Sequence, residues 1–423
     1  MTKASPRPLS SPSMTGFSQT GETLPGPMRR YAVLAALYIA QGVPSYVVAA
    51  AVPPILRENG VSKEAIGMLA LIMLPLALKF LWAPWIERFN PLRALGPRRG
   101  WIVPMQLATA LCIFALALIA PTNIPALFVI GLALALTTST QDIATDGYAV
   151  LTLAPQERAT GNAIQGGAVA ASVLIGGTAS LLIYQHFGWQ VTMIIMGFVT
   201  LLPLIILPWM YEDQARPAPR RRPSIRAFLA RPEALSVLGL ALFYRASEGL
   251  VKAMEGAYLV DAGMPLDWIG YLSGAAAASV GLGGAALAAI LVKGRGAHQT
   301  LVLLGSLRSL CFAIFTLHAF GILGGLYPVG AAAVFQTLIR YMEIVALYSL
   351  FMQVCSSDQP GTDFTLLACA QMIVYQFGGV ASGFIAAKLG YGGLFLIATL
   401  ISMAATAGTR WHGARSAHVS VRT

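Results

Sequence analysis

The stretch EDQARPAPRRRPSIRAFLARPE, Glu212 to Glu233, is the one long polar interruption in an otherwise apolar chain. It packs six arginines and four prolines into a segment that neither a buried helix nor a sheet strand would tolerate. On both sides of it, apolar runs of about 20 residues recur, long enough to cross roughly 30 Å of hydrocarbon as helices. Six precede it, near 31–56, 63–88, 101–120, 125–152, 156–185 and 189–211, and six follow, near 235–260, 267–292, 299–318, 325–355, 363–387 and 392–409. Barrel strands would be short and alternating, whereas these runs are long and continuously apolar, so helices satisfy the backbone in lipid.

Composition agrees. Hydrophobic residues make up 57% of the 423 residues and charged ones 11%, with a mean hydropathy of +0.70. Too few polar side chains exist to coat a water-soluble globule of this size. The expected fold is an all-α membrane protein of 12 transmembrane helices in two six-helix bundles, 29–211 and 234–412, joined by the basic linker 212–233. Residues 1–28 are rich in Ser, Thr, Pro and Gly and have no apolar run of the signal-peptide kind, so a disordered cytoplasmic tail is expected there, with a second tail at 413–423.

Lys and Arg placement sets the orientation, because cytoplasmic loops retain positive charge. With the N-terminus inside, 20 of the 28 Lys and Arg residues fall in the cytoplasmic tails and loops. Three (Arg57, Lys63, Lys388) fall outside and five within helices, which puts both termini in the cytoplasm. The same placement accounts for the net charge of +11, and the Arg220–Arg222 run reads as a contact for anionic lipid head groups, with no nucleic-acid role. Cys112, Cys311, Cys355 and Cys369 lie in apolar helices without CxxC spacing, and the five histidines are scattered at loops and ends. No HExxH, GxSxG or Walker motif occurs, so neither an enzyme nor a metal or cofactor site is expected.

Function belongs where ionisable groups enter the membrane, since each is costly unless paired or hydrated. On the seventh span Arg245, Glu248, Lys252 and Glu255 are spaced 3, 4 and 3 apart and share one stripe of alternating sign. The first two fall near mid-depth, and Lys252 and Glu255 read as outer-gate partners. The fourth span carries Thr138, Asp142 and Asp146 on one face, with Gln141 and Thr145 beside it. Asp142 is the first choice for proton coupling, while Asp146, nearer the inner end, reads equally as a coupling or an inner-gate residue. Lys79 stands alone in its span, too deep to snorkel, with a partner such as Asp142 expected. On the tenth span Gln336, Arg340 and Glu343 share a face, and Arg308 on the ninth reads as a structural residue near the cytoplasmic edge. Polar faces on the first span (Tyr38, Gln41, Ser45) and the fifth (Arg158, Asn162, Gln165, Ser172) complete the inventory.

These blocks resemble a known family. LKFLWAPWIERF (78–89) followed by GPRRGW (96–101), then STQDIATDGYAV (139–150) and ERATGNAIQ (157–165), are similar to the peptide/acetyl-coenzyme A/drug branch of the major facilitator superfamily, which includes muropeptide permeases. Glu87 and Arg88 with Arg98 and Arg99 resemble that superfamily's cytoplasmic gating signature. FYRASEGLVKAMEGAYLVDAG (243–263) and GTDFTLL (361–367) more closely resemble the rhizobactin and pyochelin permease group, whereas Tyr148-Ala149-Val150 departs from a Lys-Thr-Asp element of the muropeptide permeases. The resemblance implies a bacterial inner-membrane secondary transporter working by alternating access between the halves.

Siderophore import driven by protons is the function it implies, with muropeptide, peptide or drug transport as the alternative and a transporter-like sensor as the reading from another class. Asp142, Asp146, Glu248 and Glu343 are then expected to couple protons. Tyr38, Gln41, Lys79, Trp82, Gln141, Gln165, Tyr244, Arg245, Arg340 and Gln371 are expected to bind substrate, and Glu87, Arg88, Arg98, Arg99, Arg158, Lys252, Glu255 and Asp363 to gate. The expected partners are a small-molecule substrate and the lipid bilayer, the protein acting as a monomer. Iron would enter only as part of the cargo.

Overall fold

A computed structural model describes residues 25–61, 69–211, 222–265, 268 and 275–420. Residues 1–24, 62–68, 212–221 in the first part of the linker, 266–267, 269–274 and 421–423 lie outside the described residues, and Lys63 with them. Among the described residues, eight helices are long and apolar enough to cross a membrane. Two of them, Pro155–Trp209 and Pro360–Trp411, run to 55 and 52 residues, about twice what a bilayer needs. Each breaks at one glycine, Gly188 (φ 75°) or Gly390 (φ 68°), in the left-handed region that a side chain disfavours. Each therefore counts as two spans, and the broken second span and Ala275–Arg295 bring the total to twelve.

We number them α1 (Pro27–Leu56), α2 (69–88), α3 (Arg99–Ala117), α4 (Ile124–Thr152), α5 (155–187) and α6 (189–209) in the first half. The second half holds α7 (Pro232–Asp261), α8 (Ala275–Arg295), α9 (Ala297–Ala319), α10 (Leu326–Val354), α11 (360–389) and α12 (391–411). The helical backbone continues past the expected end at 409 as far as Ser420. In the linker, the short helix Ile225–Leu229 is capped by Ser224, whose Oγ accepts from the Ala227 N–H at 3.0 Å.

Prolines shape the helices that frame the centre. In α2, Pro75 and Pro84 remove backbone donors, and the span alternates between 3-10 turns (Leu69–Met73, Lys79–Leu81) and short α-helical pieces (Leu74–Leu78, Ala83–Arg88). Lys79 sits in that break, buried at 5% exposure. In α1, Pro53 and Pro54 follow a π-helical turn at Val47–Ala51. It packs on a second π-helical segment, Val173–Ala179 of α5, so closely that a Cβ on Gly176 would lie 2.3 Å from the Val43 carbonyl.

The apolar core shows how the halves meet. On the cytoplasmic side one cluster is shared, with Leu34, Ile143 and Tyr148 of the first half packed with Phe351, Phe364 and Leu367 of the second. Toward the outside it divides into one cluster per half, around Ile55, Ile113 and Met193 and around Phe312, Phe315 and Phe395. Among the described residues, the buried apolar core is thus common to both bundles on the inner side and divided between them toward the outer side.

Candidate functional site

Lys79 is the hub of the first-half site. The 3-10 turn of α2 carries it toward α4, where its ammonium pairs with Asp142 and lies 3.6 Å from Asp146. Both carboxylates are braced from α1, since Gln41 donates to Asp142 at 2.5 Å and the Tyr38 hydroxyl donates to Asp146 at 3.1 Å. The expected Lys79–Asp142 partnership is present. Asp146 belongs to the same buried cluster and to no helix end, because six further helical residues follow it in α4. Asp142 keeps 16% side-chain exposure against 2% for Asp146, so it is the member reached from the cleft.

The second-half site is built on α7, α9 and α10. Arg245 pairs with Glu248 one turn on, and Arg340 reaches the same carboxylate through Nε at 3.1 Å. Glu343 is fully buried and takes two bonds from the Arg308 guanidinium, each 3.0 Å, and one from the Tyr244 hydroxyl at 2.9 Å. Arg308 is therefore not at a cytoplasmic edge: it lies mid-helix at 1% exposure, stacked on Tyr244 at 4.3 Å and bonded to Ser402 of α12. Its partner carboxylate lies on another helix, 35 residues on, so no spacing along α9 indicates the depth at which Arg308 is held. Tyr244 and Glu343 are committed to this triad, with Arg245 at 4.0 Å from Glu343 as the link between triad and cleft.

Other expected site residues fall in varied places. Trp82 donates to Thr140 at 3.1 Å. Gln165 and Gln371 keep buried amide oxygens without a hydrogen-bond partner. Gln141 is fully buried with neither amide atom bonded, and its helical phase turns it inward, since Thr137 one turn earlier meets Thr109 of α3. Lys252 and Glu255 pair at 2.8 Å. Two tyrosines were missed. Tyr375 lies under both Arg245 (5.4 Å) and Arg340 (5.5 Å), and Tyr348 is near enough to act electrostatically on Asp146, Lys79 and Arg245. An uncharged ring in an apolar helix carries no sequence signal of its own.

The inner side is latched. Glu87 is held by Arg98 at 3.0 Å and accepts from the N–H groups of Gly361 (2.9 Å) and Thr362 (3.1 Å) and from the Thr362 hydroxyl (2.7 Å). A first-half carboxylate thus caps the N-terminus of α11, where both orphan donors and helix dipole favour negative charge. Arg98 passes over Gly147, where a Cβ would stand 2.7 Å from its guanidinium. Arg88 donates to the Pro223 carbonyl of the linker, and Asp363 pairs with Arg231 and accepts from Gln359 at 2.6 Å. Arg99 opens α3, and Arg158 stands half-buried at the inner end of α5, near Asn162, which bonds Ser349 at 3.1 Å across the halves. Above this latch, Asp142 keeps 16% side-chain exposure and Arg340 keeps 32%.

Comparison with known proteins agrees with this architecture. The chain is 24% identical over 377 residues to the anhydromuropeptide permease of Escherichia coli strain K12, covering 87% of this chain and 76% of that protein. It is 24% identical over 355 residues to the putative transporter AmpG 2 of Rickettsia felis, covering 81% and 86%. The structure of a bacterial homologue of the iron transporter ferroportin in an outward-facing state superposes with a TM-score of 0.72 at 14% identity, covering 91% of this chain and 99% of that one. A profile of the Major Facilitator Superfamily matches residues 34–375, spanning both halves and the charged cleft between them, and the chain belongs to that superfamily of membrane transporters.

Proposed function

We propose that this secondary transporter imports an anionic, peptide-bearing solute of the muropeptide kind across a bacterial inner membrane, together with protons. The observation that carries the coupling is charge balance. Lys79, Asp142 and Asp146 form a buried group with one more carboxylate than cation, whereas Arg245, Arg308, Arg340, Glu248 and Glu343 have one more cation than carboxylate. A buried net charge is expensive, so the first group favours taking up a proton and the second an anion. An anion arriving on the second-half side leaves the cleft as a whole negative until the proton is bound, which ties one event to the other.

In this reading Asp142 receives the proton from the outer side, Lys79 turns to Asp146, and Glu87 releases the N-terminus of α11 as the inner latch opens. The muropeptide assignment draws on the relatives named above. Tyr148, which departs from their pattern, is a buried residue of the apolar core shared by the two halves on the inner side, and its hydroxyl accepts from the Tyr211 N–H at 3.4 Å. Ferric siderophore import is the second reading, favoured by the Tyr375 ring between two arginines, which suits an anionic aromatic chelate. Two bundles, 29–211 and 234–412, working as a monomer complete the account. Cells carrying only this transporter, given labelled anhydromuropeptide, ferric pyochelin or ferric rhizobactin, decide between the readings. Accumulation of the muropeptide alone supports the first, accumulation of a ferric chelate alone supports the second, and uptake of neither removes both.

A further inference from the structure

We infer that Arg340, with the hydroxyls of Tyr46, Tyr341 and Tyr375, forms the docking point for a carboxylate of the cargo. This deepens the proposed import of an anionic solute and rests on it. Arg340 spends only its Nε on the protein, toward Glu248 at 3.1 Å. Its two terminal nitrogens make no hydrogen bond among the described residues, and its side chain keeps 32% exposure. Arg245 pairs with Glu248 and Arg308 with Glu343, and although each keeps guanidinium N–H groups without a hydrogen bond, both side chains are buried, at 5% and 1% exposure. Arg340 is the one of the three whose free fork is open to solvent.

Its surroundings have the same polarity. Tyr375 of α11 supplies the ring beneath the guanidinium at 5.5 Å, and Tyr46 of α1 and Tyr341 of α10 are close enough to act electrostatically on it. The three phenol hydroxyls make no hydrogen bond to protein among the described residues. The free groups at this point are two guanidinium nitrogens, which only donate, and three phenol hydroxyls, each able to donate. Together they suit an acceptor with two coplanar oxygens, which a guanidinium engages through paired bonds. Glu248 already offsets part of the positive charge, so a singly charged carboxylate fits better than a doubly charged phosphate. One turn from Arg340 and from Tyr375 along their own helices, Gln336 and Gln371 hold buried amide atoms without a hydrogen bond. Because Tyr46 belongs to the first half and the other members to the second, a bound carboxylate touches both bundles.

The test uses purified full-length protein and thermal stabilisation by a panel: anhydromuropeptide, ferric rhizobactin, and the same molecules with their carboxylates converted to amides. The expected result is that one acid stabilises the wild type with at least about tenfold higher affinity than its amide twin, the size of a lost charge-assisted pair. Arg340→Gln should abolish that preference, Arg340→Lys should restore part of it, and Tyr375→Phe should keep the ring while weakening the acid. If ferric rhizobactin alone binds and shows the Arg340-dependent preference, the muropeptide reading fails and the carboxylate dock stands. Equal binding of acid and amide by the wild type, a preference unchanged in Arg340→Gln, or no binding by any member overturns the dock.

Discussion

Lys79 illustrates how little of a charged residue's meaning lies in its own position. The sequence shows one cation among apolar neighbours, and the structure shows two carboxylates of α4 converging on it, each held by a hydrogen-bond donor from α1. Replacing Lys79 by Gln leaves Asp142 and Asp146 as a buried like-charged pair without the cation that balances them. Lys79→Gln is therefore expected to bind cargo but to lose concentrative uptake by at least tenfold, measured as the ratio of accumulation to equilibrium exchange in vesicles. Arg308 makes the opposite case. Arg308→Leu strands Glu343 in the core, a loss of about 3–5 kcal/mol, and is expected to lower the melting temperature or abolish expression, whereas Arg308→Leu with Glu343→Leu recovers folding. Rescue by the double variant, read by fluorescence-detected size exclusion, separates a structural triad from a transport site. No spacing along α9 announces this pair, because its members come from different helices.

Among the elements, the spans were legible from hydropathy and their breaks were not. Pro75 and Pro84 stand in plain view in α2, yet only the three-dimensional path shows that the break between them delivers Lys79 to α4. Gly188 and Gly390 occupy corresponding places, after the fifth span and after the eleventh, one break in each half. The inner latch belongs to this scale, because Glu87 acts on the end of a helix as a whole. Glu87→Ala removes three hydrogen bonds to the start of α11 and is expected to shift the outward-to-inward ratio by at least about tenfold toward the inward state. Spin labels on the outer ends of α1 and α7 would show this as a shortened distance distribution, and an unchanged distribution removes the latch from the account. Gly147→Ala, which forces the Arg98 guanidinium off its seat, should move the ratio in the same direction.

At the scale of the whole molecule, the core that is shared inside and divided outside defines one end state of a transport cycle. Two bundles each carry an unbalanced charged group of opposite sign, and the unbalance disappears only when the cleft is taken as one site. That is why the residues that matter lie on both sides of the Pro- and Arg-rich linker, and why neither half is expected to bind or move cargo alone. The direct test is uptake of labelled anhydromuropeptide by proteoliposomes carrying the purified protein under an imposed inward proton gradient. The account predicts accumulation above the external concentration, collapse of that accumulation by a protonophore, and loss of gradient-driven accumulation in Asp142→Asn with exchange retained. Accumulation that survives the protonophore, or an Asp142→Asn protein that still concentrates its cargo, would contradict it.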